Sequence, residues 1–117
     1  MEESESQPAF DLEATLERLG GHYDLFRDIV GFFFRDTPAL VLELRAALDT
    51  GDLSCVAKSA HRLKGTVLYL GAQPAILAAS RVEAAGESRN LAEAAAALAQ
   101  LEEEVARLEK TLAPYRP

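Results

Sequence analysis

The sequence feature that most constrains the fold is an apolar repeat with a helical period in the middle of the chain. Six apolar residues recur there at spacings of three and four, the period of one face of an α-helix. A strand cannot use this pattern, because its side chains alternate with a period of two. We therefore predict a helix with one buried face. The six residues are Leu53, Val56, Ala60, Leu63, Val67 and Leu70.

Two longer segments have the same period. One apolar stripe runs from Phe26 to Leu48 and keeps its phase across Pro38, which predicts a long helix that bends at the proline without breaking. Another runs from Leu91 to Leu112 and predicts the last helix. Neither segment shows the alternation of a strand, so the pattern favours an all-helical chain.

Capping residues and turns mark the remaining boundaries. Asp11 can cap a short helix over Leu12 to Leu19, and Asp52 can cap the central helix. Pro74 suits the first turn of a helix that we expect to extend to about Ala85 and to end at Gly86. Asn90, with Glu93 three residues later, predicts the start of the last helix.

These elements predict an all-α fold. Four substantial helices joined by short turns favour an antiparallel up-and-down four-helix bundle, here with a short additional N-terminal helix. We expect a flexible acidic tail over residues 1–9 and one bundle domain over residues 10–113. A length of 117 residues is enough for one helical core.

Charge and composition exclude several classes of function. Twelve Lys and Arg residues stand against 19 Asp and Glu residues, a formal charge of −7, so neither nucleic acid nor an anionic membrane is an expected partner. The start of the chain lacks the pattern of a signal peptide, and charged residues interrupt every apolar run. We expect a cytoplasmic protein. Its one cysteine, Cys55, cannot form an internal disulfide and is expected to be structural.

Polar residues that could take part in a reaction lie on the outer face of the central helix. On a helical wheel, His61 points roughly 130° away from the apolar seam, and Lys58 and Gly65 lie almost opposite it. Lys64 lies on the same side as His61. Imidazole is largely neutral near cellular pH, so a ring nitrogen can attack phosphorus, and a lysine one turn away can offset phosphoryl charge.

A glycine inside a helix is a second indication of function. Gly65 costs about 1 kcal/mol relative to alanine at such a position, which suggests that an open approach to the helix is needed there. A lone surface histidine is usually only a solvated residue, and a lysine three residues later is common. The joint pattern of His61, Lys64 and Gly65 makes that interpretation less favourable.

The same residues resemble a known signature. Residues 60–65 read Ala-His-Arg-Leu-Lys-Gly and are followed, after five residues, by Gly71-Ala72. This is similar to the signature of histidine-containing phosphotransfer (HPt) domains of bacterial multistep phosphorelays, and the similarity extends over roughly residues 10–112. The resemblance implies a four-helix bundle that binds no nucleotide and has no kinase activity of its own.

By this resemblance, His61 would accept a phosphoryl group from a receiver-domain aspartate, or from a sensor or hybrid histidine kinase. It would pass the group to the aspartate of a response regulator. Lys64 would stabilise the phosphoryl group. No intrinsic cofactor or metal site is expected, because Mg²⁺ would come with the receiver domain. A monomer is expected. The alternative is a helical adaptor that binds receiver or kinase domains without carrying phosphate.

Each of the remaining candidate residues has more than one interpretation. Glu83 falls where family members often place a polar residue near the histidine, and its carboxylate could orient the ring or repel a phosphoryl group. Leu68 stands where the family usually has a small residue, and it could widen the docking surface, cover a gap against the adjacent helix or hinder a receiver. Phe32 points away from its own stripe and either contacts a partner or packs under the first helix. The expected partner contacts are Lys58, Arg62, Gly65, Leu68 and Phe32.

Overall fold

The computed structural model describes residues 7–117, and this part of the chain forms five α-helices and no strand. The all-α prediction is confirmed. The acidic stretch of residues 1–6, which belongs to the predicted tail, lies outside the described residues. The helices are α1 (Leu12–Arg18), α2 (Tyr23–Thr50), α3 (Leu53–Leu68), α4 (Gln73–Glu87) and α5 (Leu91–Leu112), and a 3₁₀ turn (Ala113–Tyr115) follows.

The predicted caps are present at three helix starts. Asp11 accepts a hydrogen bond from the backbone of Ala14, Asp52 from that of Cys55, and Asn90 from Glu93, at 3.0–3.1 Å. Each bond satisfies a backbone N–H that the first helical turn leaves without a partner. The long helix α2 continues through Pro38, as its apolar stripe predicted.

The four long helices pack in a closed ring. α3 packs on α2 and α4, and α5 packs on α4 and α2, with α1 against α2. The short connections make consecutive helices antiparallel, which agrees with the predicted up-and-down bundle. All six residues of the predicted seam of α3 are buried in the core. The core extends to Ala9 and Phe10, and the Phe10 ring stacks on that of Phe26 with the centroids 5.9 Å apart.

The prediction for Gly86 was wrong. The helix α4 does not end there but continues to Glu87, and Gly86 itself is buried. A β-carbon at Gly86 would lie 2.9 Å from the backbone nitrogen of Ala57 and 3.0 Å from the carbonyl oxygen of Leu53. The glycine therefore permits the close approach of α4 to α3. The same two helices carry His61 and Glu83.

None of the helices in residues 7–117 combines the length and the apolar character needed to cross a membrane.

Candidate functional site

The His61 ring stands on the surface of the bundle, as its position on the helical wheel predicted. Its side chain is 68% exposed, and its Nδ1 atom lies 2.9 Å from the Oε2 atom of Glu83 on α4. A carboxylate oxygen can only accept a hydrogen bond from the ring, so Nδ1 carries the proton. In the neutral ring, Nε2 then keeps its lone pair, which is the nucleophilic position of imidazole.

The same carboxylate also binds Lys64. The Nζ atom of Lys64 lies 2.9 Å from Oε1 of Glu83, so each oxygen of the carboxylate has its own partner. The Glu83 side chain is only 17% exposed, whereas the side chains of His61 and Lys64 are 68% and 30% exposed, so the carboxylate is the more buried side of both contacts. One acidic residue of α4 therefore contacts both the histidine and the lysine, which lie one helical turn apart on α3.

The Glu83 carboxyl is held in its ionised form. Its pKa is lowered from 4.5, chiefly by the hydrogen bond from Lys64, and the hydrogen bond from His61 and the charges of both partners act in the same direction. Partial burial opposes this shift because it disfavours the charged form. Near neutral pH the site therefore contains a permanent negative charge behind the His61 ring.

The packing of α4 on α3 explains why Glu83 reaches both residues. Ala79, Val82 and Gly86 are buried, and Gly86 packs against the backbone of α3. Glu83 follows Val82 directly, so it lies at the edge of this contact, where its side chain can extend along the surface of α3. Bulkier residues on that face of α4 would hold the carboxylate further from the ring.

A groove lies beside the histidine, between α2 and α3. Its volume is about 370 Å³. An added β-carbon at Gly65 would meet nothing within 4 Å, so the glycine leaves open space in the floor of the groove. Half of the Phe32 surface is exposed, and the guanidinium carbon of Arg35 lies 4.9 Å from its ring centroid. The lining includes Ile29, Phe32, Arg62, Gly65, Thr66 and Tyr69.

The other predicted contact residues surround this region. Leu68, one turn after Lys64, is 55% exposed, and Lys58 is exposed on the preceding turns of α3. Arg62 forms an ion pair with Glu43 of α2, at 3.5 Å. The helix α3 carries Lys58, Arg62 and Lys64 and not one Asp or Glu, although the chain has a net charge of −7. Glu43 and Glu83 pair with Arg62 and Lys64 from the neighbouring helices, so Lys58 is the cation of α3 that forms no salt bridge within residues 7–117.

Two groove residues were missed in the sequence. Tyr69 is 65% exposed and lines the groove. Its position four residues after Gly65 places it on the same helix face. Ile29 was assigned to the buried stripe of α2, but it is only half-buried and lines the groove one turn before Phe32. The spacing to Gly65 and to Phe32 was the available signal.

In residues 7–117, no group of three or more His, Cys, Asp or Glu side chains is arranged to hold a metal ion.

Comparison with known proteins gives one family. The family model described as Hpt domain matches residues 28–111, which include α3, α4 and the whole candidate site. Curated proteins and solved structures gave no match.

Proposed function

Because the chain belongs to the Hpt domain family, which acts in histidine phosphotransfer in phosphorelays, we propose that His61 is its phosphoryl carrier. The group would arrive from a receiver-domain aspartate, or from a sensor or hybrid histidine kinase. It would leave to a response-regulator aspartate. The observation that carries this proposal is the His61 ring itself, with Nδ1 held by Glu83 and Nε2 exposed.

The geometry supports a balanced transfer step. The Nε2 lone pair attacks the phosphorus of the aspartyl phosphate, the N–P bond forms, and the P–O bond to the aspartate breaks. The aspartate leaves as a carboxylate, and the ring, which keeps its Nδ1 proton, becomes positively charged. The Glu83 carboxylate stabilises that charge, as an acidic residue behind a catalytic histidine does elsewhere. The reverse step returns the phosphoryl group to the next aspartate.

Glu83 is therefore a positioning residue in this proposal. Its hydrogen bond selects the tautomer that exposes the Nε2 lone pair, and its charge favours the imidazolium that each transfer produces. Its carboxylate lies on the Nδ1 side of the ring, away from the incoming phosphorus. This position supports orientation of the ring over repulsion of the phosphoryl group.

Lys64 would offset the charge of the transferred group. Its ammonium is held near the ring by Glu83, at 2.9 Å, and a flexible side chain can move from that carboxylate to phosphoryl oxygens. Such a cation acts where negative charge accumulates in phosphoryl transfer. Mg²⁺ would be supplied by the acidic pocket of the receiver.

The groove between α2 and α3 is the proposed receiver contact. Phe32 and the open surface at Gly65 provide an apolar centre. Arg62, which pairs with Glu43, and Lys58, one turn before Arg62 on α3, would provide charged contacts to an acidic receiver pocket. Leu68 extends the apolar surface on the other side of Lys64. A modest interface of this kind fits a monomeric carrier that must release one partner before it meets the next.

One observation favours the adaptor as a second candidate. The Lys64 ammonium is already engaged by Glu83, so a phosphoryl group would have to compete for it. A bundle that only docks receiver or kinase domains would tolerate this ion pair permanently.

The two functions differ in one experiment. The chain is incubated with a receiver domain phosphorylated on its aspartate, and we expect an acid-labile, base-stable label on the chain that is absent in His61→Gln. Binding of the receiver without any transferred label would support the adaptor instead. The fold of His61→Gln, checked by circular dichroism, separates loss of the nucleophile from loss of structure.

A further inference from the structure

A second apolar groove lies between α2 and α5. Leu42 is 71% exposed, the highest value among the large apolar residues described, and it projects from the rim of a groove of about 350 Å³. Pro38 and Val41 line the groove from α2, and Val105 and Ala106 line it from α5. An exposed leucine at an apolar groove is a candidate contact site.

This groove is remote from the phosphotransfer site. In the ring of helices, α2 and α5 form the side opposite to α3 and α4, and the contact between His61 and Glu83 bridges α3 and α4. The function proposed for His61 therefore gives no reason for an exposed leucine at position 42. The bundle gives none either, because Leu42 contributes little buried surface to the core.

The charges around the groove are acidic. Its two charged lining residues are Glu102 and Glu109, two turns apart on α5, and no Lys or Arg lines it. Arg45 of α2 pairs with Glu102 at one end, whereas no salt bridge involves Glu109 within residues 7–117. The helix α5 as a whole carries five glutamates against one arginine and one lysine. The net charge of α5 is therefore negative, whereas that of α3 is positive.

We propose that this groove binds an amphipathic helix of another protein, with leucine-like residues on one face and Lys or Arg residues beside them. The apolar face would cover Leu42 and Ala106, and a basic residue would pair with Glu109, the lining glutamate that no salt bridge engages within residues 7–117. The acidic rim argues against the other occupants. A second copy packed by two-fold symmetry would place glutamates opposite each other, and an anionic membrane would be repelled.

A partner bound there would leave the opposite face free. The phosphoryl group could then reach His61 while the domain is held in place by its α2–α5 side. Tethering of this kind raises the effective concentration of the domain near the proteins that share its tether. The inference does not depend on whether His61 carries phosphate.

The test uses the full chain and two synthetic amphipathic helical peptides, one of Leu and Lys and one of Leu and Glu. Backbone amide shifts of the ¹⁵N-labelled chain locate the contact, and titration gives the affinity. We expect the Lys peptide to shift the amides around Leu42 and Ala106, and the Glu peptide to have no effect. Leu42→Ser should lower the affinity of the chain for the Lys peptide by about tenfold or more. The matched control is Leu77→Ser on α4, where the leucine is 54% exposed, and it should bind normally.

Three outcomes would overturn the proposal. The first is a set of shifted amides that lies away from the α2–α5 groove. The second is equal affinity in wild type and Leu42→Ser, which would reduce the contact to general attraction between opposite charges. The third is a concentration-dependent dimer that Leu42→Ser abolishes, which would assign the groove to a second copy of this chain.

Discussion

The Nδ1 atom of His61 and the Oε2 atom of Glu83 lie 2.9 Å apart, although 21 residues separate them in the chain. This contact joins α3 to α4 at the surface of the bundle and determines which nitrogen of the ring is available. The second oxygen of Glu83 binds Lys64, so one carboxylate contacts both residues to which we assign phosphotransfer in our proposal.

Removal of the Glu83 side chain should slow phosphoryl transfer in both directions. In Glu83→Ala the ring loses its tautomer preference and the charge that stabilises the imidazolium, and we expect rates lower by about tenfold or more. Single-turnover transfer from and to a receiver domain measures both rates. Glu87→Ala, one turn further along the same helix, is the control and should transfer normally. An unchanged rate in Glu83→Ala would show that the contact has no part in the chemistry.

The ion pairs of Glu83 should also make stability depend on pH. The pKa of Glu83 is lower in the folded chain than its ordinary 4.5, so the folded state binds fewer protons there and gains stability above that pH. This contribution is lost as the pH falls through the lowered pKa. Urea unfolding should therefore show Glu83→Gln to be less stable than wild type near pH 7 and similar to it in strong acid. A constant difference at both pH values would contradict this prediction.

Lys64 should matter for the reaction and little for the fold. Lys64→Ala removes the cation that would offset phosphoryl charge, and we expect transfer slower by at least about tenfold with an unchanged helical spectrum. Lys110→Ala, an exposed lysine on α5, is the matched control for loss of one positive charge. If Lys64→Ala and Lys110→Ala transfer equally well, Lys64 has no role in the step.

Gly65 should lower the stability of the chain and keep the groove open to a receiver. Nothing lies within 4 Å of an added β-carbon, so Gly65→Ala should stabilise the chain by about 0.5–1 kcal/mol, the difference between the two residues inside a helix. The same methyl group would project into the groove and slow transfer from a receiver. Thermal unfolding and single-turnover transfer measure the two effects. A variant that is more stable and equally fast would place the receiver contact elsewhere.

Gly86→Ala is the matched control, because it makes the same chemical change in the neighbouring helix. Its β-carbon would meet the backbone of α3 at 2.9 Å, so α4 must move away from α3. We expect destabilisation by roughly 1–3 kcal/mol. Displacement of α4 should also lengthen the contact between Glu83 and His61. Equal stability of Gly86→Ala and wild type would show that the two helices can separate without cost.

The sequence predicts the helices well, because their signals are local. The apolar seam of α3 and the side chains of Asp11, Asp52 and Asn90 identify positions by spacing alone, and all are found as expected. The outward direction of His61 follows from the same period. A sequence without a resemblance to Hpt domains would still indicate this bundle.

The contacts between helices are harder to predict. A glycine such as Gly86 is typical of a helix end, and only the distance to the backbone of α3 shows that this glycine is a packing position. The pairing of Glu83 with both His61 and Lys64 depends on the register of α4 against α3, which no local pattern determines. The spacing of Tyr69 to Gly65 indicates a shared helix face, but the groove that both residues line exists only after α2 and α3 have packed.

The most direct test of the account is the position of phosphorus on the His61 ring. The ¹⁵N-labelled chain, phosphorylated by a receiver domain, is studied by ¹⁵N and ³¹P NMR. We predict phosphorus bonded to Nε2 of His61, with the proton retained on Nδ1 beside Glu83. Phosphorus on Nδ1, or on any residue other than His61, would contradict the central claim.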